Sequence, residues 1–259
     1  MSVTLGRGIL PCLMGAVLVA ACSDGSGPNG SSNASLSFAK ASSSSPAAAS
    51  ARPSFSTAPI TLGGQTLVLS QVQIVFSEVE LEQADHSGSC SGEVPGCEEF
   101  EAGPLLVDLP LSGGVTATVN TGVTDGTYGQ AELKIDVPNE GDAATTAFLA
   151  AHPSWPASAS VHVVGTFDAN DGAGPQPFDV YLAGESELEL TFNPPLVVDA
   201  SGNVNVTVAM DPNAWFVTAG GLIDPRLLST DTNLQQAVFA NIDGSFEAFE
   251  DANQDGLAD

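Results

Sequence analysis

Beyond residue 58, apolar residues recur at every second position through most of the chain. Leu133, Ile135 and Val137 alternate with Glu132, Lys134 and Asp136, and Leu188, Leu190 and Phe192 alternate with Glu187, Glu189 and Thr191. A period of two puts one set of side chains in a core and the other in water, the signature of a half-buried antiparallel strand. Comparable runs lie at Leu67 to Leu81, Leu105 to Leu109, Val115 to Val119, Tyr128 to Val137, Val161 to Phe167, Phe178 to Leu182, Leu196 to Val198 and Val204 to Met210, separated by Gly, Pro, Asn and Asp. About ten short strands with turn signals between them predict a mainly β protein built as an antiparallel β-sandwich. Within the first run, Val72, Ile74 and Phe76 fall on even positions and Val79 and Leu81 on odd ones. The apolar face therefore changes register, which predicts a β-bulge between Phe76 and Val79.

Two segments break the alternation. Ala143 to Ala151 is alanine-rich and predicts a helical turn or two between strands. Near the C-terminus, Leu234, Val238, Ile242, Phe246 and Phe249 recur at spacings of three and four, which predicts an amphipathic helix over 231–250 packed on the sandwich. Asp231 is its expected N-cap, and Gly244 a point of weakness worth about 1 kcal/mol relative to Ala.

The first 57 residues follow a different logic. Arg7 precedes the apolar stretch Ile9 to Ala20, which is too short to span a bilayer, and small residues lead into Cys22. Val19-Ala20-Ala21-Cys22 resembles the lipobox of bacterial lipoproteins at all four positions. That resemblance implies cleavage before Cys22 and lipidation of its new N-terminus, and Ser23 points to the outer membrane. Two or three acyl chains, at about 0.8 kcal/mol per buried methylene, hold a soluble domain at a membrane without a spanning helix. From Ser23 to Thr57 the chain is rich in Ser, Ala, Gly, Pro and Asn, with Leu36, Phe38 and Phe55 as its bulky apolar residues. Such a composition predicts a disordered tether over 22–57, with a root-mean-square span of roughly 30–35 Å. The expected organisation is a signal peptide over 1–21, this tether, a sandwich over 58–230, the helix over 231–250 and an acidic tail over 251–259.

The net charge of −26 makes the surface strongly acidic. Loss of residues 1–21 removes Arg7 and no acid, so the mature chain is one unit more negative still. Such a surface repels phosphate backbones, which excludes nucleic acid as a partner and leaves cations, basic partners or simple solubility. Of four cysteines, Cys12 leaves with the signal and Cys22 carries lipid, so Cys90 and Cys97 remain to form a local disulfide in an oxidising exterior. Closing so short a loop is worth about 2–3 kcal/mol.

A broader likeness runs from residue 60 to residue 137. A Val-x-Ile run leads into Glu78-Val79-Glu80-Leu81; Leu105-Leu106-Val107-Asp108-Leu109 follows, and then Gly126-Thr127-Tyr128-Gly129-Gln130 enters a strand. With the lipobox, this order resembles a family of bacterial lipoproteins classed as a domain of unknown function. The resemblance implies a β-sandwich outside the cytoplasm and transfers no catalytic residue. The chain departs from that family's usual "Gly-x-Tyr, then Ile-x-Leu" signature at Ala131-Glu132-Leu133.

Candidate chemistry is concentrated at the far terminus. Asp251, Asn253, Asp255 and Asp259 supply side-chain oxygens at positions one, three, five and nine of a loop with Gly256 at six and the Leu257 carbonyl at seven. The spacing matches the start of an EF-hand loop and resembles thrombospondin type 3 and dockerin-like calcium repeats. It predicts a Ca²⁺ site, with the ligand expected at position twelve left to Glu247, Glu250 or water. A solvated acidic tail is the competing reading. Asp168, Asn170, Asp171 and Gly172 repeat part of the pattern, and a tight hairpin turn explains them more simply. Gly88-Ser-Cys90-Ser-Gly92 has nucleophile-elbow spacing but lacks the strand-turn-helix setting. His86, His152 and His162 form no triad with it, so no catalytic residue is assigned. Trp155 and Trp215 are the aromatic candidates for stacking on a sugar.

The sequence thus points to a lipid-anchored protein of the bacterial cell envelope with a non-enzymatic structural or binding sandwich. The alternatives are a carbohydrate- or matrix-binding module with Ca²⁺-shaped loops, and an extracytoplasmic hydrolase. The expected partners are the membrane, through the lipid, and an envelope protein or a glycan.

Overall fold

The computed structural model describes residues 31–41, 59–84, 98–138, 141–199 and 203–258. In chain order the strands are β1 (Ser31–Lys40), β2 (Ile60–Leu62), β3 (Gln65–Gln83), β4 (Glu98–Ala102), β5 (Leu105–Asp108), β6 (Val115–Thr124) and β7 (Gly126–Ile135). After helix α1 (Ala143–Ala151) come β8 (Val161–Asp168), β9 (Gln176–Leu182), β10 (Ser186–Val198), β11 (Asn203–Met210), β12 (Val217–Thr218) and β13 (Gly221–Leu222), then helix α2 (Thr232–Asp243) and β14 (Phe246–Glu250). Two sheets form a mainly β sandwich. One has the order β14-β11-β1-β6; the other has β10-β7-β3-β8-β9, with β2, β4 and β5 also paired to β3.

The long strand β3 is the spine of the larger sheet. Its first part pairs with β8 and its last part with β7. The change of partner coincides with a register shift between Phe76 and Glu78, where the alternation predicts the bulge. Ser77 is the extra residue, and its hydroxyl donates to the Lys134 carbonyl. Gly103 lies against it so closely that an added Cβ would sit 2.0 Å from the Ser77 carbonyl oxygen. Phe76 then joins the sheets: Phe38 of β1 stacks on it at 5.0 Å, and Phe246 of β14 meets it edge-on at 6.4 Å.

Strand β1 corrects the expected tether. Ser31–Lys40 pairs with β11 in parallel and with β6 antiparallel, so it lies inside the smaller sheet. Ala34, Leu36 and Phe38 alternate and are buried in the common core. Composition alone hides them, because small polar residues dilute three apolar positions; their period of two is what folds the segment. On the opposite face Ser35 and Ser37 both donate to the Asn205 Oδ1 of β11.

The expected helix over 231–250 is also corrected. α2 starts at the predicted cap, with the Asp231 carboxylate accepting from the N–H groups of Asn233 and Leu234. It buries Val238 and Ile242 and ends at Asp243, with Gly244 as its C-cap. Phe246 and Phe249 belong to β14, paired antiparallel with β11, so the four-residue spacing that joined them to the helix is coincidental. The chain thereby returns to the sheet that contains β1, and the sandwich includes residues on both sides of the expected 58–230 boundaries. α1 occupies the predicted alanine-rich segment, capped by Asp142, and packs with Val75 and Trp155 in a small second cluster.

Candidate functional site

The C-terminal loop leaves β14 beside β11. The Asp251 N–H donates to the Asn205 carbonyl, and the Asn205 side-chain amide donates to the Asp251 carbonyl. The Asp251 side chain is fully buried. Its Oδ2 accepts from the Thr207 hydroxyl at 2.7 Å and the Gly256 N–H at 2.9 Å, and its Oδ1 accepts from the Asp255 N–H at 3.0 Å. That same N–H lies 2.9 Å from Asn253 Oδ1, which brings oxygens one and three of the predicted loop to one nitrogen. Asp255 Oδ1 accepts from the Leu257 N–H, and Gly256 takes φ +83°, the sharp turn expected of position six. A carboxylate has about four acceptor sites. Three of those on Asp251 are occupied by these donors. The donor set is all oxygen, which suits a hard cation such as Ca²⁺. Asp259 lies outside the described residues.

A second acidic feature comes from strand register, on the outer face of the larger sheet. Glu189 of β10 stands opposite Glu132 of β7, and Glu132 opposite Glu80 of β3. One row away, Gln130 donates to Glu82 at 2.7 Å. Carboxylate oxygens of Glu80, Glu82 and Glu132 lie within 4.8 Å of one another, close enough to hold a metal ion together. Partial burial, then the charges of Glu187, Glu82 and Glu189, raise the Glu132 carboxyl above its ordinary value. Like charges directly opposite are destabilising in a sheet. The sequence shows Glu78 and Glu80 in one run and Glu187 and Glu189 in another, but the convergence of Glu80, Glu82 and Glu132 depends on pairing that no local pattern carries.

The two tryptophans are taken out of consideration as stacking platforms. Trp215 is fully buried, and its indole N–H donates to the Ser245 hydroxyl. Trp155 is 7% exposed, donates to the Ala159 carbonyl and packs edge-on against His162 and Tyr181. Each indole is satisfied internally and offers no ring face to a sugar, so the expectation for Trp155 and Trp215 is corrected. His162 stacks on Tyr181 at 4.0 Å, with its ring nitrogens bonded to Gln73 and Asp179. The Asp168 segment is the hairpin turn between β8 and β9: Asp168 accepts from the Asn170 N–H, and Asn170 and Gly172 take positive φ.

Beside the Ser77 bulge, an open cleft of about 410 Å³ is lined by Lys134, Asp136, Asp142 and Thr145 among others. Hydrogen bonds from Thr145 hold the Asp142 carboxyl below its ordinary value. Cys22, Cys90, Cys97 and His86 lie outside the described residues, and with them the expected lipidation site and the expected disulfide. Among the described residues no helix is long and apolar enough to cross a membrane. Compared with models of protein families, with curated proteins and with solved structures, the chain matches none.

Proposed function

We propose that the chain is a lipid-anchored protein of the bacterial cell envelope, at the outer membrane, whose β-sandwich has a structural or binding role without catalysis and whose C-terminal loop binds Ca²⁺. The observation that carries this reading is the meeting of both ends of the described chain on β11. β1, which begins nine positions after the lipobox cysteine, is bonded to Asn205 through Ser35 and Ser37. Asn205 and Thr207 in turn hold Asp251, the first residue of the loop. A cation bound by Asp251, Asn253, Asp255 and the Leu257 carbonyl ties the tail to β11, the neighbour of the strand that a lipid anchor pulls on. Binding at one hundred times Kd adds about 2.7 kcal/mol to the stability of that arrangement. The carboxylates of Glu80, Glu82 and Glu132 suit a second cation or a basic segment of an envelope partner.

Calorimetric titration of the chain from Ser23 onward with calcium chloride tests the reading. Saturable heat is expected in the parent, with the tight phase lost in Asp255→Ala. Asp255 is exposed, so this variant keeps the fold, whereas Asp251→Ala also opens a buried network. A combined Glu80→Gln and Glu82→Gln variant separates the sheet cluster from the loop. Absence of saturable heat in the parent removes calcium from the proposal.

A further inference from the structure

The place of β1 sets how far the domain stands from the membrane and which end faces it. Nine residues, fully extended, reach at most about 30 Å. A free chain over 22–57, by contrast, has a contour of more than about 100 Å. Ser31 is fixed in register opposite Thr124, and Asn33 opposite Asn203. The same end of the sandwich therefore carries the β6–β7 turn at Asp125 and the start of β7, where Gly126 pairs with Val198. It also carries the C-terminal loop, because β14 runs antiparallel to β11 and leaves it beyond Val206.

The far tip is built by the other end of β3. Gln83 pairs with Tyr128 near the Ser31 end, whereas Thr66 pairs with Asp168 at the opposite end. There the Gly63-Gly64 turn packs against Asn170, and Arg226 lies over the Phe167 ring at 5.4 Å. At about 3.3 Å per residue, the nineteen residues of β3 separate the two ends by up to roughly 60 Å.

From the tether length and the register, and resting on the lipid-anchor reading above, we infer that the end with the β6–β7 turn and the C-terminal loop is the lipid-facing surface, held within about 30 Å of the bilayer. The β2–β3 and β8–β9 turns form the outward tip. The bilayer that receives Cys22 is the partner of this end, and the exposed Asp125 and Asp255 hold it off the phosphates at a distance the tether allows, since repulsion acts within about 10 Å.

The test uses the lipidated protein in vesicles of phosphatidylethanolamine and phosphatidylglycerol. A fluorescent amino acid is placed at Asp125 or at Asp171, both exposed, and energy transfer is read to a headgroup dye. Transfer from position 125 should exceed that from 171 several-fold, and an insertion of about twenty Gly and Ser residues between Cys22 and Ser31 should abolish the difference. Protein that floats with the vesicles but transfers equally from both positions overturns this inference alone. Protein that does not float removes the anchor reading and this inference with it.

Discussion

Replacing Phe38 by Ala probes whether the N-terminal strand belongs to the fold. The ring is fully buried and stacks on Phe76 at 5.0 Å with an interplanar angle of 22°. Deleting a buried Phe side chain costs about 3–5 kcal/mol through lost transfer energy and the cavity left behind. Loss of an aromatic pair adds to the area term by about 0.5–1.5 kcal/mol, which places the expected cost in the upper part of that range. A domain has only about 5–15 kcal/mol in total. In urea denaturation of the chain from Ser23 onward, Phe38→Ala should therefore lower the midpoint strongly, while Val197→Ala, at a position 61% exposed, should stay within about 0.5 kcal/mol of the parent. A chain starting at residue 58 should fail to fold as a monomer, because β6 and β11 lose the strand between them. A Phe38→Ala midpoint equal to that of Val197→Ala would refute the placement of β1.

Two further perturbations check other parts of the account. Glu132→Gln removes repulsion toward Glu187, Glu82 and Glu189 and should stabilise the domain by about 0.5–1 kcal/mol at neutral pH, the groups being partly exposed. Because the folded state raises the Glu132 carboxyl, its destabilisation is fully present above the folded value and disappears as pH falls below the ordinary value of 4.5. The variant's advantage, followed by thermal melting across pH, should vanish there; a constant advantage would contradict the electrostatic cause. Asp231→Ala removes acceptors for the Asn233 and Leu234 N–H groups and should cost about 1 kcal/mol by the same denaturation assay.

Local pattern made several features legible. The bulge at Ser77 follows from the parity change between Phe76 and Val79, the Asp231 cap from residue type, and the β8–β9 turn from Asp and Asn before Gly. What escaped reading depends on partners distant in sequence. Ala34, Leu36 and Phe38 carry a strand signal too thin to stand against the surrounding Ser and Asn, and they fold because β6 and β11 offer two open edges. Phe246 and Phe249 fit a helical period by chance, and Gly244 together with the edge of β11 decides for a strand. For the candidate site, the spacing of Asp251, Asn253 and Asp255 is visible in one dimension. The bond from Thr207 that buries Asp251, and the row formed by Glu80, Glu132 and Glu189, exist only once the strands are paired.

The central claim is that this sandwich is carried on a lipid, and metabolic labelling with a clickable fatty-acid analogue tests it directly. The parent should take up label and float with the membrane fraction, and Cys22→Ala should do neither. Equal labelling of the two proteins, or a parent that stays unlabelled and soluble, would contradict the account.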